Sequence, residues 1–143
     1  MKKNVGLWID HRKAVILVLA ERREEIRTVE SNVEEQAVSR RGVMGRASKM
    51  PRYYAAEDRE TRRRIEHLNQ YYGEIVKDIR DAESVFIMGP GEAKHELEKR
   101  MTHSRIKNRI AGIETTDKLT ERQITARIRK FFKDKEKVNS HHS

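Results

Sequence analysis

Residues 85–97 read Val-Phe-Ile-Met-Gly-Pro-Gly-Glu-Ala-Lys-His-Glu-Leu, and no other stretch limits the fold as strongly. Val85, Phe86, Ile87 and Met88 form a short apolar run closed by glycine and proline. Such a run predicts a strand buried on both faces, because a strand with one solvated face would alternate. A helix is predicted to follow at once, over residues 90–101. Gly89 can cap it, the fixed φ of Pro90 suits a first helical position, and Glu92 falls where the helix dipole favours negative charge. Ala93 and Leu97 then face inward. This is the β-to-α joint of a layered fold. Strand ends of this kind often hold ligands, so the Gly89-Pro90-Gly91 turn invites a phosphate-cradle reading. Against it, the turn lacks the third glycine of a dinucleotide fingerprint and the Gly-Lys-Ser/Thr of a P-loop, and Glu92 repels phosphate. A tight structural turn is the expectation.

Upstream, residues 5–9 (Val-Gly-Leu-Trp-Ile) and 14–19 (Ala-Val-Ile-Leu-Val-Leu) flank the polar turn Asp10-His11-Arg12-Lys13 and predict a hairpin. Ile16 and Phe86 are expected on adjacent central strands. Residues 25–30 alternate more weakly and suit an edge strand with charges facing solvent. A long helix is predicted over residues 58–81, with Ile65, Leu68, Tyr72, Ile75 and Ile79 on one stripe. Gly73 costs about 1 kcal/mol inside a helix, so close packing or a bend is expected there. Residues 106–115 supply a last strand. The capping box Thr120-Glu121-Arg122-Gln123 then opens a final helix with Ile124, Ile128 and Phe131 inward. The expected organisation is one domain over residues 1–134 and a frayed, disordered polar tail over 135–143.

Residues 32–57 show no sustained periodicity and predict a long loop carrying Arg40, Arg41, Arg46, Lys49 and Arg52. Long structureless loops inside compact domains are commonly functional. From Arg40 to Pro51 there is no acidic residue, as expected of an arm that tracks a nucleic-acid backbone. Tyr53 and Tyr54 at its end offer a base-stacking surface or pack on the following helix. Arg59, Arg62, Arg63 and Arg64 extend the positive field, partly offset by Glu57, Asp58 and Glu60.

Composition agrees with an anionic partner. The chain has 143 residues, 38% of them charged, and a formal net charge of +9. Nucleic acid is the leading candidate. Aromatic residues are only 6%, which favours phosphate contacts over base stacking. A chain this long buries about two-thirds of its unfolded surface and needs no staples. The lack of cysteine removes disulfide, zinc-finger and thiol chemistry and suits a reducing cytoplasm. Asp10, His11, Arg12 and Lys13 interrupt the first apolar run, so no signal peptide or membrane span is expected.

The predicted order is βββαβαβα, a single ribonuclease-H-like α/β domain with a mixed five-stranded sheet and helices packed on it. Gly6-Leu-Trp-Ile-Asp10 with Ala14-Val-Ile16, the loop Arg40-Arg-Gly-Val-Met-Gly-Arg46, the Arg-rich helix reaching Tyr71-Tyr72, and Val85-Phe-Ile-Met-Gly-Pro-Gly-Glu-Ala-Lys94 together resemble the middle domain of archaeo-eukaryotic peptide release factors and Pelota. The resemblance spans residues 4–132, and its most specific part is the strand with Gly-Pro-Gly-Glu-Ala-Lys. It implies a stand-alone, bacterial-type relative of the kind called translational machinery components, placed on ribosomes. In release factors the loop at residues 40–48 carries a Gly-Gly-Gln tripeptide. Here Gly42-Val-Met-Gly45 stands instead, with no glutamine between Gln36 and Gln70, so peptidyl-tRNA hydrolysis does not carry over. No decoding domain and no GTPase-recruiting domain is expected.

The functional expectation is a non-enzymatic, cytoplasmic protein that binds ribosome or structured RNA, with no cofactor, no metal and no membrane partner. Its expected contacts are Arg40, Arg41, Arg46, Lys49, Arg52, Arg59, Arg62 and Arg63. One alternative is a metal-dependent nuclease using Asp10 at the end of the first strand with Glu74, Asp78, Glu92 or Asp117. Two-metal hydrolysis needs several converging carboxylates, and Met88 ends the fourth strand where an acid would serve. Asp10 otherwise reads as a turn cap for Arg12 or Lys13. His11, His67, His95 and His103 lack ligand spacing, and the Ser-His-His-Ser end is too short to argue metal binding. The other alternative is a scaffold for an acidic protein partner.

Overall fold

A computed structural model describes residues 3–31 and 50–141, with backbone alone over 50–57 and 138–141. The strands are β1 (Asn4–Ile9), β2 (Lys13–Ala20), β3 (Arg23–Glu30), β4 (Ser84–Gly89) and β5 (Ile110–Thr115). They form one five-stranded sheet in the order β3-β2-β1-β4-β5. The β1–β2 and β2–β3 pairs are antiparallel, and the β1–β4 and β4–β5 pairs are parallel. Helix α1 (Met50–Ile79) precedes β4, α2 (Ala93–His103) joins β4 to β5, and α3 (Glu121–His141) follows β5. The predicted βββαβαβα order and mixed sheet are therefore the observed ones. Every residue of β4 is buried, as its unbroken apolar run requires.

The sheet carries a core on each face. Val5, Leu7, Ile9, Ile16, Val85 and Ile87 point to α1 and α2, meeting Tyr71, Ile75, Ile79, Leu97 and Met101. Trp8, Val15, Leu17, Phe86 and Met88 point to Ile124, Ile128 and Phe132 of α3. The period of two thus sorts neighbouring residues of each central strand to different helices. Ile16 and Phe86 accordingly lie on opposite faces, and β1 separates their strands; the expectation that they are on adjacent strands is corrected. A hairpin followed by a long crossover leaves β1, not β2, free to receive β4.

Under α3 one row across the sheet reads Leu17, Gly6, Phe86, Gly112. A Cβ at Gly6 would fall 2.3 Å from Ile128 Cγ2, and one at Gly112 would fall 3.2 Å from Phe131 Cε2. These glycines let α3 approach the sheet, and the Phe86 ring fills the space between them. Phe131 stacks on Phe86 with centroids 4.0 Å apart and planes 4° from parallel.

Several boundaries differ from the sequence expectations. Helix α1 begins at Met50, eight residues before the predicted start, so Arg52 belongs to helical backbone and not to a loop. Pro51 there acts as an early helical residue, where its fixed φ favours the helix it seemed to preclude. Within the predicted stripe Ile65 is 52% exposed, while Tyr71 and Val76 join Tyr72, Ile75 and Ile79 in the core. Gly73 faces open space, so the expected close packing is absent. Helix α2 starts at Ala93 and not Pro90: Gly89 ends β4, and Pro90 and Gly91 form the bend. On α3, Phe132 is buried more deeply than Phe131. The helix continues to His141, so residues 135–141 of the expected tail are helical. Lysine and glutamate are good helix formers, and Lys135 Nζ donates to Ser84 Oγ, tying this extension to the sheet. Edge strand β3 is exposed along nearly its whole length. Val29 alone of its residues packs against the core, and ion pairs hold the strand to both helices, from Arg27 to Asp78 of α1 at 2.6 Å and from Arg129 of α3 to Glu24 at 2.7 Å.

Candidate nucleic-acid interface

The last third of α1 enters the core, and residues 58–70 before it do not. None of residues 58–70 is buried, and among them Arg59, Arg62, Arg63 and Arg64 are exposed. Helical spacing puts Arg59, Arg62 and Arg63 on one face at i, i+3 and i+4, and position 52 lies two turns ahead of Arg59 on that face. Glu66 shares this face one turn on. No ion pair joins the four arginines to Asp58, Glu60, Glu66 or any other described carboxylate. Arg40, Arg41, Arg46 and Lys49 lie outside the described residues, as do the side chains of Arg52, Tyr53 and Tyr54.

The buried end of α1 that follows the arginines is anchored by the turn at the end of β1. Asp10 Oδ1 accepts the backbone N–H groups of Arg12 and Lys13, each at 2.8 Å. The Tyr71 hydroxyl donates to the Asp10 carbonyl at 2.9 Å, and the Tyr72 hydroxyl donates to Glu96 Oε2 of α2. His11 Nε2 lies 3.2 Å from the same Glu96 oxygen. Ser31, where β3 ends, donates its hydroxyl to the His11 carbonyl at 2.6 Å and its N–H to the Arg12 carbonyl at 2.9 Å. Burial is the main cause that pushes both tyrosine hydroxyls far above their usual range, so both remain protonated donors. The exit from β3 and the helix that carries the arginines are thereby fixed to one turn. Sequence reasoning used Tyr71 and Tyr72 only within a pattern and missed Glu96 and Ser31, because nothing local signals a contact between β1, α1 and α2.

The Gly89-Pro90-Gly91 turn has a structural cause. A Cβ at Gly89 would lie 2.2 Å from the Ile9 carbonyl oxygen, so β4 passes β1 too closely for any side chain. Lys94 is buried, and its Nζ donates to the Gly91 carbonyl at 2.6 Å, which closes the turn.

The carboxylates of the nuclease alternative do not converge. Asp10 holds its own turn, Asp78 pairs with Arg27, and Glu92 precedes α2 without a side-chain cap. Glu74 and Asp117 are exposed, and the Asp117 carbonyl accepts the Trp8 indole N–H at 3.2 Å. Among the described residues no three His, Asp or Glu side chains form a group able to hold a metal ion. No described helix is long and apolar enough to cross a membrane.

No protein-family profile matches this sequence, and no curated protein matches it. Solved structures do resemble its fold. Pelota from Archaeoglobus fulgidus superposes with a TM-score of 0.52 at 14% identity, over 90% of this chain and 31% of that one. Pelota from Thermoplasma acidophilum gives 0.48 at 16% identity over 84% of this chain and 30% of that one. An archaeal translation termination factor gives 0.45 at 16% identity over 97% and 40%. The chain thus spans less than half the length of these neighbours. The likeness to the Archaeoglobus protein is one of fold.

Proposed function

We propose that this chain is a non-catalytic RNA- or ribosome-binding domain acting in translation, which grips RNA through phosphate contacts from the first half of α1. The carrying observation is the set Arg59, Arg62, Arg63 and Arg64, exposed without a described carboxylate partner on a stretch of helix, residues 58–70, none of which is buried. Most helical stability in proteins comes from packing an apolar face, and residues 58–66 place no side chain in the core. Its charge is left for a partner, and phosphate suits the forked guanidinium. Arg40, Arg41, Arg46, Lys49 and Arg52 belong to the same surface in this reading. The translation role is supported by the sequence resemblance over residues 4–132 and by the fold shared with Pelota. In this reading the domain works in the cytoplasm, without cofactor or metal.

Titrating a labelled ribosomal RNA fragment with the purified protein over a range of salt tests this. Log affinity should fall linearly with log salt, by about 0.7 to 0.9 for each phosphate contacted. The RNA should stay intact in magnesium or manganese, and Asp10→Asn, which can keep the turn acceptor, should bind as the parent does. Metal-dependent cleavage that Asp10→Asn abolishes would instead establish the nuclease reading.

A further inference from the structure

Helix α3 presents a second basic surface on the other side of the sheet from α1. Arg122, Lys130, Lys133 and Lys137 are all exposed. At about 100° per residue they fall within an arc of about 80°, opposite the face that carries Ile124, Ile128 and Phe132. Glu121, Asp134 and Glu136, the acids of α3, lie outside that arc. Nearby acids are engaged on its flanks: Arg129 donates to Glu24 through three contacts, at 3.0, 3.2 and 2.7 Å, and Glu114 pairs with Arg127 at 3.2 Å. The Arg129 guanidinium holds the Glu24 carboxyl below its usual range. Neither acid reaches the four stripe residues, and no described carboxylate pairs with them.

We infer that this stripe is a separate RNA-backbone contact, so that the domain holds two RNA segments, one on each side of its sheet. The inference rests on the reading of the protein as an RNA binder. From Arg122 to Lys137 the stripe runs about 22 Å at 1.5 Å per residue. A stripe of that length can lie along several successive phosphates of one strand. The composition selects among anionic partners. Protein interfaces are depleted in lysine and enriched in aromatic anchors, and the arc holds three lysines and no aromatic side chain. A helix lying on an anionic membrane inserts an apolar face, whereas the apolar face of α3 is spent on the sheet. Lysines act as point charges on phosphate and read no sequence, so this contact grips backbone without selecting bases.

The test compares the parent with Arg122→Gln/Lys130→Gln/Lys133→Gln/Lys137→Gln and with Arg59→Gln/Arg62→Gln/Arg63→Gln/Arg64→Gln. Lys135 is left alone because it bonds Ser84. Two readouts are taken: the salt dependence of binding to a labelled RNA hairpin, and energy transfer between donor- and acceptor-labelled hairpins held by one protein. The parent should bridge two hairpins. The α3 variant should lose bridging, keep a first hairpin through α1, and melt at the parent temperature. At the α3 surface, four contacts account for a slope of about three. An α3 variant that bridges as the parent does overturns the inference, as does one that loses binding to phosphatidylserine vesicles while its RNA bridging is unchanged. If the α1 variant binds like the parent while the α3 variant loses binding, α3 is an RNA surface and the α1 reading fails. If both variants behave as the parent, both readings fail.

Discussion

Phe86→Ala should unfold this domain more readily than any other single truncation, at a cost of about 3 to 5 kcal/mol. The ring is 1% exposed and stacks on Phe131. Its neighbours in the row across the sheet are Gly6 and Gly112, which have no side chain to move into the space. Truncation therefore leaves a void flanked by two glycines, and the cost of such substitutions rises with the cavity that remains. Against a total stability of about 5 to 15 kcal/mol, a loss of this size is a large share of the whole. Chemical denaturation followed by circular dichroism should show a much lower midpoint at an unchanged slope. Ile16→Ala, on the opposite core, should cost about 2 to 5 kcal/mol, and the two effects should be nearly additive because different helices cover the two sites.

Replacing Arg59, Arg62, Arg63 and Arg64 by glutamine should separate binding from folding. All four are exposed and unpaired among the described residues, and surface substitutions of this kind shift stability by about half a kcal/mol or less. RNA affinity at low salt should fall by about two orders of magnitude, with a salt slope reduced by about two to three units if three of the four touch phosphate. Fluorescence anisotropy against salt measures both. A variant that binds with the parent slope would remove α1 from the interface.

The sheet was legible in the sequence because its signals are local. The unbroken run Val85 to Met88, the turn acid Asp10 and the capping box at Thr120 each act within a few residues. In the structure Thr120 and Gln123 exchange their side-chain bonds at 2.9 and 3.2 Å. The pairing partners were less legible, since register depends on residues far apart in the chain. Nothing near Gly6 announces that Ile128 must pass over it. The same distance hid the anchor formed by Tyr71, Tyr72, Glu96 and Ser31. Boundaries failed where punctuation is ambiguous: Pro51 and Pro90 both mark helix starts, yet one lies inside its helix and the other stands before it. Of the expected contact residues, Arg59, Arg62 and Arg63 are exposed on one helical face, and Arg40, Arg41, Arg46 and Lys49 fall outside the described residues.

Sedimentation of a cell lysate through a sucrose gradient at low salt tests the central claim most directly. The protein should migrate with ribosomal particles and move to the top fractions when the lysate is treated with ribonuclease or brought to high salt, since phosphate contacts are lost in both cases. The Arg59, Arg62, Arg63 and Arg64 variant should shift toward the top under the same conditions. Migration of the parent with free proteins at low salt, or with a complex that survives ribonuclease, would contradict an RNA-held role and move the reading to an acidic protein partner.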